Sequence, residues 1–403
     1  MRKHVVILGA GYAGLRALHE LQHGSDDIRI TLVDQNEYHF EATDIHEVAA
    51  GLQTAERITY PIKDVVKKEC TTFVQGTVEK IDSDKQLVFL KEQEAISYDY
   101  LIVALGYESE SFGIPGVEDF SLKMVDIPTS EKVYQHLVAQ MKAYKETKDE
   151  TYLKIVVCGA GFTGIELLGS LVEGKKKLAE IADVAPEKIQ LYCVEAVTRL
   201  LPMFSDKLGG YGINHLKKWG VQFLVGKPIK EIKQDTVVYL DDQKTNQLAE
   251  LNAKTIIWTT GVSGSHVVGD SGFAAKRGRV MVQSDLTDAE HKNVYIIGDC
   301  SAVMDQATQR PYPTTAQISL KMGEHAGKNI KAQMKGQPTK EFTFKSLGSV
   351  ASIGNSHAFG EVGKVEVKGY PASVIKKAIM DRSLFETGGI KEMLAKGRFD
   401  FYH

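Results

Sequence analysis

Two glycine clusters carry the clearest chemical signal in the sequence. Residues 9–14 read GAGYAG and residues 159–164 read GAGFTG, so both have the spacing Gly-X-Gly-X-X-Gly. In this pattern the first glycine makes a tight turn, the second lets the backbone approach a pyrophosphate, and the third lets a helix pack closely on a strand. The N-terminus of that helix then faces the phosphate charge. The two clusters therefore predict two dinucleotide sites.

An acidic residue ends the strand that follows each cluster. Asp34 ends the run ITLVD, and Glu195 ends the run IQLYCVE. A carboxylate at this position accepts hydrogen bonds from a ribose hydroxyl of the dinucleotide. The acids thus support the interpretation of both glycine clusters as ligand sites rather than as simple turns.

The elements that must position these residues repeat along the chain. Residues 4–14 and 154–164 each contain a β-branched apolar run, the glycine turn and the start of a helical pattern. Apolar strands at residues 98–106 and 293–302 follow later, and the second ends in Gly-Asp. Asp299 is therefore expected at the ligand crevice of an open α/β sheet, or as a helix N-cap or turn residue. The pattern predicts an α/β fold with two Rossmann-type domains, the second inserted in the first.

Length and composition exclude several other classes of protein. The 403 residues suggest two to three domains, and the apolar and charged fractions of 43% and 25% are those of a globular protein. Lys and Arg total 49 against 52 Asp and Glu, a net charge of −3, so no basic surface for nucleic acid is expected. Four scattered cysteines indicate a reducing compartment, and no metal site is expected. No apolar run reaches the roughly 18 residues of a membrane span.

Several stretches resemble one family within the two-dinucleotide flavoprotein reductases, the type II NADH:quinone oxidoreductases. They are VILGAGYAGL, NEYHFEATDIHEVAAG, GAGFTGIELLGSL, VEA, GDCSA, RPYPTTAQ and the tail with IKKAI and DRSLFETGGI. The resemblance implies an FAD domain at 1–115 and 266–330, an NADH domain at 116–265, and a quinone-site and membrane-docking region at 331–403. Thiol reductases of this architecture carry cysteine after the first helix, whereas this chain has none before Cys70.

The resemblance also assigns cofactor contacts residue by residue. Non-covalent FAD contacts are implied at Gly9, Ala10, Gly11, Tyr12, Ala13, Asp34, Gln35, Val78, Asp299, Ala316, Gln317 and Lys376. NADH contacts are implied at Gly159, Gly161, Gly164 and Glu195. Because an acid repels a 2′-phosphate, Glu195 favours NADH over NADPH, although Arg199, four residues on, could accommodate that phosphate.

Glu166 occupies the position of the family's catalytic carboxylate. A raised pKa in a partly dry crevice would let it relay a proton, whereas the alternative is a glutamate that only complements the helix dipole. The quinone site is implied at Gln317, Lys321 and Ile379, with Lys321 where the family has glutamine. That lysine could donate to a quinone oxygen or pair with a carboxylate. The alternative for Lys376 is a solvated helix face, and His46 could contact the flavin or fill a core.

The expected function is non-proton-pumping oxidation of NADH, through FAD, by a membrane quinone, most simply a menaquinone. The alternatives are a soluble FAD-dependent NADH reductase of another acceptor and a redox sensor with little quinone activity. Residues 371–403 carry six basic and four acidic side chains, with Ile390, Met393 and Leu394 on one helical face. Lys391 and Lys396 would face anionic lipid, and Phe399, Phe401 and Tyr402 would anchor the tail. We expect a homodimer on the cytoplasmic side of the cell membrane, unless the tail packs on the body.

Overall fold

Two five-stranded parallel sheets, alike in the order of four strands and different in one edge strand, form the centre of the protein in a computed structural model that describes residues 2–23 and 27–399. The first contains, in spatial order, Val294–Ile296, Tyr100–Val103, Lys3–Leu8, Ile28–Asp34 and Thr71–Gln75. The second contains Leu122–Lys123, Thr255–Trp258, Lys154–Cys158, Gln190–Glu195 and Val221–Val225. The expected α/β fold with two Rossmann-type units is confirmed.

The central strands are apolar without alternation because both faces of each parallel sheet are covered. Val5, Val6, Ile7 and Leu8 have no exposed surface, and the strand Lys154–Cys158 is buried over its last four residues. Such continuous burial is typical of parallel strands that have helices on both sides. The helices are α1 (Tyr12–Leu21), α2 (Ile45–Ala49), α3 (Val117–Phe120), α4 (Ile127–Thr147), α5 (Phe162–Ala182), α6 (Asp206–Lys218), α7 (His266–Asp270), α8 (Ala316–Met334) and α9 (Tyr370–Lys396).

The internal repeat extends further than the glycine motifs predict. Each unit inserts a three-stranded antiparallel meander directly after an edge strand of its sheet, after Thr71–Gln75 in the first unit and after Val221–Val225 in the second. The meanders consist of Val78–Asp82, Leu87–Leu90 and Ile96–Ser97 in the first unit, and of Ile229–Lys233, Thr236–Asp242 and Gln247–Asn252 in the second. Their strands are short and half exposed, so their sequences carry too little periodicity to reveal the duplication.

An antiparallel strand pair marks where the chain leaves the first unit and returns to it. Tyr107–Ser109 pairs with Val262–Gly264 on either side of the second unit. The domain boundaries expected at 115/116 and 265/266 stay predictions. Helix α8 runs on to Met334, so we propose to draw the third boundary after that residue. Smaller strands are Tyr38–Phe40, Thr59–Pro61, Ala275–Lys276, Arg279–Met281, Ser301–Ala302, Met304–Asp305 and Arg310–Pro311.

The tail consists of a meander and a kinked helix. Gly348–Ser352, Ala358–Val362 and Val365–Gly369 form the antiparallel meander, and α9 follows it. Gly389 has a φ of 75°, a left-handed conformation that interrupts α9 and redirects its last turns. Among the described residues, no helix is both long and apolar enough to cross a membrane. The expected anchors Phe401 and Tyr402 lie outside the described residues.

Candidate active site

A cavity of about 590 Å³ opens at the carboxyl ends of the first sheet's strands. Its size is within the range of ligand pockets. The cavity brings together nine of the residues expected to contact FAD, namely Gly9, Ala10, Gly11, Tyr12, Ala13, Asp34, Gln35, Val78 and Asp299. These side chains come from four separate segments of the chain, which the parallel strands deliver to one edge of the sheet.

The glycine turn beneath this cavity fits a bound phosphate. Gly9 has a φ of +101°, and a side chain on Gly14 would come within 1.8 Å of the Gly9 carbonyl oxygen. A side chain on Gly11 would instead meet nothing within 4 Å, so this glycine faces open space in the cavity. The first and third glycines therefore serve the turn and the helix packing, and the second leaves room for the ligand.

The two strand-end acids hold the glycine turns in place. Asp34 accepts hydrogen bonds from the backbone N–H of Ala10 at 2.7 Å and of Asn36 at 2.8 Å. Glu195 accepts them from Ala160 at 2.8 Å and Val197 at 3.1 Å. Burial raises the pKa of Asp34, and these backbone donors oppose that shift. Each carboxylate thus stabilises the turn that its ribose would approach.

Asp299 lies on the cavity wall within a short 3₁₀ turn, Gly298–Cys300. Burial raises the pKa of this carboxyl group, and the Arg279 guanidinium opposes the shift. The residue is therefore not the N-cap of an α-helix, and its carboxyl group is available to a ligand hydroxyl.

Three of the residues expected at the flavin do not line the cavity: Ala316, Gln317 and Lys376. Ala316 and Gln317 begin α8, and the Gln317 side-chain oxygen accepts a hydrogen bond from the Leu347 N–H at 3.1 Å. Ser319, two residues further on, does reach the cavity. Contacts of the three residues with flavin stay a prediction.

His39 lines the cavity and was not singled out from the sequence. Its Nδ1 lies 2.7 Å from the Ala10 carbonyl oxygen, and its Nε2 lies 3.4 Å from a carboxylate oxygen of Glu41. The Tyr12 hydroxyl donates to the other oxygen of Glu41 at 2.9 Å. The only signal for His39 in the sequence is a glutamate two residues later, just after the strand Tyr38–Phe40. Such a pair resembles an ordinary polar loop.

A second cluster forms around Glu166, in the first turns of α5. The side chain is buried, and its Oε1 accepts hydrogen bonds from Lys376 Nζ at 2.8 Å and from the Ser352 N–H at 3.1 Å. Burial raises the pKa of Glu166, but Lys376 and His46 outweigh it, so the pKa lies below its usual value. The expected rise in the pKa of Glu166 is therefore wrong, because the tail supplies a buried cation.

Lys376 and His46 both belong to this cluster. Burial lowers the pKa of Lys376, but the Glu166 carboxylate outweighs it and raises the pKa above its ordinary value. Lys376 is thus no solvated helix residue. His46 Nδ1 lies 2.8 Å from the Ser170 hydroxyl, and burial lowers the pKa of the ring. Both residues line a second, very small cavity of about 10 Å³, which is separate from the first.

The residues expected at the quinone site line neither of these two cavities. Lys321 Nζ donates to Glu324 at 2.8 Å, so the structure selects the ion-pair alternative for this lysine. Burial raises the pKa of Glu324, but hydrogen bonds from Lys321 and Lys328 outweigh it and lower the pKa to about 2. Ile379 is 43% exposed on α9.

The second glycine turn repeats the first. Gly159 has a φ of +108°, a side chain on Gly164 would lie 2.0 Å from the Gly159 carbonyl oxygen, and Gly161 faces open space. Arg199, which could have favoured a 2′-phosphate, pairs with Asp206 at 3.0 Å. The turn and Glu195 together can receive a dinucleotide pyrophosphate and ribose.

Replacement of Lys376 by methionine should reverse the pKa shift of Glu166. In the wild type the lowered pKa makes Glu166 stabilise the fold above its unfolded value of 4.5, and this stabilisation is lost as the pH falls through the folded pKa. In Lys376→Met the strongest group that opposes burial is lost and only His46 and Ser352 still oppose it, so the pKa of Glu166 should rise and stability should fall as the pH rises above about 4.5. The ionised carboxylate without its buried partner should cost about 3 to 5 kcal/mol. Melting temperatures between pH 4 and 8 measure this.

The control is Lys391→Met, which removes an exposed lysine of the same helix that pairs with Asp64 at 2.9 Å. Its melting profile should follow the wild type. A Lys376→Met profile parallel to that of Lys391→Met would contradict the assigned ion pair.

Comparisons with solved structures agree with this architecture. NDH2 from Plasmodium falciparum in complex with NADH superimposes with a TM-score of 0.86 at 17% identity, over 100% of both chains. The sulfide:quinone oxidoreductase from Aquifex aeolicus superimposes with a TM-score of 0.80 at 20% identity, over 100% of this chain and 96% of the other. At these identities the likeness shows the fold alone.

Comparisons of sequence identify the family. The profile of the family described as pyridine nucleotide-disulphide oxidoreductase matches residues 3–323. A type II NADH:quinone oxidoreductase from Staphylococcus saprophyticus is 39% identical over 405 residues, and the match covers 99% of each chain. With both glycine turns, the strand-end acids and the Glu166 cluster in place, this chain belongs to the pyridine nucleotide-disulphide oxidoreductases and, among them, to the type II NADH:quinone oxidoreductases.

Proposed function

We propose that this protein oxidises NADH and reduces a quinone, so that NADH, one proton and quinone yield NAD⁺ and quinol. The observation that carries the proposal is the buried ion pair between Glu166 and Lys376. It connects the helix of the second glycine turn to the tail helix, beside strand Gly348–Ser352. A proton-bearing pair thus lies where the nucleotide-binding unit meets the tail.

FAD, when bound, would supply the two-electron chemistry that links oxidation of NADH to reduction of the quinone. The cavity residues would hold it without a covalent bond. The open face of Gly11 supports a pyrophosphate contact there, and Asp34 and Gln35 would face the adenosine ribose. Val78, which lines the cavity, would contact the adenine, and Asp299 would bind the ribityl or pyrophosphate side.

Glu195 and the turn at Gly161 would receive NADH. The carboxylate is held by two backbone donors, so its charge is directed at a fixed position beside the ribose. It would accept the ribose hydroxyls and repel a 2′-phosphate. Because Arg199 is already paired with Asp206, the preference for NADH over NADPH should be stronger than the sequence suggests.

Glu166 and Lys376 would provide the proton of the quinone step. With the pKa of Glu166 lowered and that of Lys376 raised, the resting pair consists of a carboxylate and an ammonium group. The transferable proton then resides on Lys376 Nζ, and Glu166 compensates the charge and orients the donor. We therefore retain a role for Glu166 in proton transfer, with the transferable proton on Lys376 and not on Glu166 itself.

The quinone would enter between α8 and the tail. Gln317 is fixed by its bond to the Leu347 N–H, so its amide nitrogen remains free to face a quinone oxygen. Lys321 is neutralised by Glu324 and would border the site rather than donate to the quinone. The exposed Ile379 would contact the apolar quinone chain. Menaquinone as the physiological quinone stays a proposal.

Apolar side chains in the last turns of the tail support attachment to a membrane surface. Ile390 and Leu394 lie one turn apart and are 63% and 64% exposed, and Phe399 is also exposed. Met393, expected on the same face, packs instead against the core of the first unit. The apolar patch, defined here as Ile390, Leu394 and Phe399, would enter the boundary between headgroups and acyl chains.

The basic residues of the tail also contact the body. Lys391 binds Asp64, Lys396 donates to the Glu56 carbonyl oxygen, and Arg398 is buried. These contacts help to hold the tail on the body, and because Lys391 remains exposed, a position of Lys391 and Lys396 toward lipid stays a prediction. Membrane binding should therefore depend on the apolar patch and only weakly on salt. We further propose that the protein binds the cytoplasmic side of the membrane, where NADH is available, and that it forms a homodimer.

The function is tested by steady-state oxidation of NADH by the purified yellow protein. We expect rapid turnover with a short-chain menaquinone analogue and much slower turnover with oxygen. Ferricyanide serves as the control, because it takes electrons from reduced flavin without a quinone site. Turnover with ferricyanide but none with menaquinone would contradict the proposal and favour the alternative of another acceptor.

Membrane attachment is tested with Ile390→Glu/Leu394→Glu. Two charges on the apolar patch should reduce sedimentation with vesicles at least tenfold, since each would have to enter an apolar boundary. Val365→Glu is the control, because Val365 is equally exposed, at 64%, but lies in the tail meander. Wild-type binding should persist at about 0.5 M salt, where surface charges are screened. Equal losses in both variants would contradict the assignment of the patch.

A further inference from the structure

A second buried ion pair lies beside the first. Arg398 is 4% exposed, and its guanidinium donates two hydrogen bonds to Glu47, at 2.8 and 3.1 Å. The same guanidinium lies 3.4 Å from the Asn355 side-chain oxygen, and the Arg398 N–H donates to Asp381. A fork of this kind is the strongest form of arginine–carboxylate contact. It connects α2 to the last described residues of the tail, 351 positions away.

The two ion pairs share the walls of the 10 Å³ cavity. Glu47 and Arg398 line it together with Lys376, the partner of Glu166. Three helices and the tail end contribute charged and titratable groups to this cluster. They are Asp44 just before α2, His46 and Glu47 of α2, Glu166 and Glu173 of α5, Lys376, Lys377 and Asp381 of α9, and Arg398. Glu47 of one pair thus lines the same cavity as Lys376 of the other.

Lys376 has three acidic neighbours and can pair fully with only one of them. After the effect of burial, the pKa of Lys376 responds first to Glu166, then to Asp44 and then to Glu47. Burial and Glu47 raise the pKa of Asp44, whereas Arg398 and Lys376 lower it. Because the groups are in a water-poor interior, removal of one charge must redistribute the others.

We propose that Arg398 is a positioning residue for the quinone step, because its pairing with Glu47 keeps that carboxylate from competing with Glu166 for Lys376. The proposal rests on the function proposed above. The tail end then has two roles: it holds α9 on the body, and it supplies the cation that prevents Glu47 from competing for the proton donor.

A purely mechanical tail contact would behave differently when its two partners are removed separately. Loss of either partner would loosen the tail, and both variants would change in the same direction. Under the proposal the signs are opposite. When Arg398 is removed, the unpaired Glu47 attracts Lys376 away from Glu166, so the pKa of Glu166 rises. When the charge of Glu47 is removed, Arg398 remains as an additional cation near Glu166, so the pKa of Glu166 falls.

The test compares Arg398→Met with Glu47→Gln in the flavin-loaded, full-length protein. The titration of Glu166 is followed by infrared difference spectroscopy, and its carboxyl band is assigned by its loss in Glu166→Gln. Reoxidation of reduced flavin by a menaquinone analogue is followed by stopped flow across pH. Arg57→Ala is the matched control, since Arg57 holds the same tail segment through the Gly397 carbonyl oxygen at 2.6 Å without entering the cluster.

We expect the Glu166 midpoint to move to higher pH in Arg398→Met and to lower pH in Glu47→Gln. Reoxidation should slow about tenfold in Arg398→Met and recover partly in Arg398→Lys, which keeps the charge without the fork. Arg57→Ala should match the wild type. If Arg398→Met does not fold, the test relies on the shift of the Glu166 midpoint to lower pH in Glu47→Gln.

Unchanged midpoints, or midpoints that move in the same direction, would overturn the proposal. Its failure is distinguishable from failure of the proposed function. If wild-type flavin is not reoxidised by quinone, the function is wrong, whereas the infrared midpoints of Glu166 still report whether Arg398 and Glu47 act on that group with opposite signs.

Discussion

The ion pair between Glu166 and Lys376 is the interaction on which the rest of the arrangement depends. Its members lie 210 residues apart, on the helix of the second glycine turn and on the tail helix. A buried ion pair contributes little net stability, yet the loss of one partner is costly because the other charge remains in the interior. The second unit, the tail meander and the tail helix must therefore be docked together before either charge is tolerated.

The backbone geometry of the glycine turns imposes the other constraint, and both units meet it in the same way. The third glycine of each motif permits contact between helix and strand, and the strand-end acid holds the turn through backbone N–H groups. An aspartate performs this in the first unit and a glutamate in the second. The acid that recognises the ribose thus also supports the phosphate turn, so a substitution made to change nucleotide preference also perturbs the turn.

Features with a local sequence signature could be predicted. The two glycine motifs and their acids led to the fold class and to the glycine turn and Asp34 in the large cavity, because strand, turn and helix are adjacent in the chain. Gln35 and Val78 followed from the resemblance to the family, and Asp299 from the Gly-Asp end of a later strand. The position of Glu166 followed from the same motif. The sequence left two alternatives for Lys321, donation to a quinone oxygen and pairing with a carboxylate. Its ion pair with Glu324, three residues away, favours the second.

Long-range pairings carried no such signature. Nothing in the periodicity of the tail connects Lys376 to Glu166, or Arg398 to Glu47, because isolated charges on a helix resemble a solvated face. The direction of the pKa shift of Glu166 was wrong for this reason: burial was foreseen, but the cation that outweighs it was not. His39 and the tail meander were missed because short polar strands have little periodicity.

We propose that the Glu166–Lys376 pair serves the quinone step and not the nucleotide step. Stopped-flow measurement of Glu166→Gln separates the two, with flavin reduction by NADH followed first and reoxidation by a menaquinone analogue second. In Glu166→Gln we expect flavin reduction at the wild-type rate and reoxidation slowed by about 10²-fold, the lower end of general acid–base effects. Reoxidation at the wild-type rate would contradict this proposal.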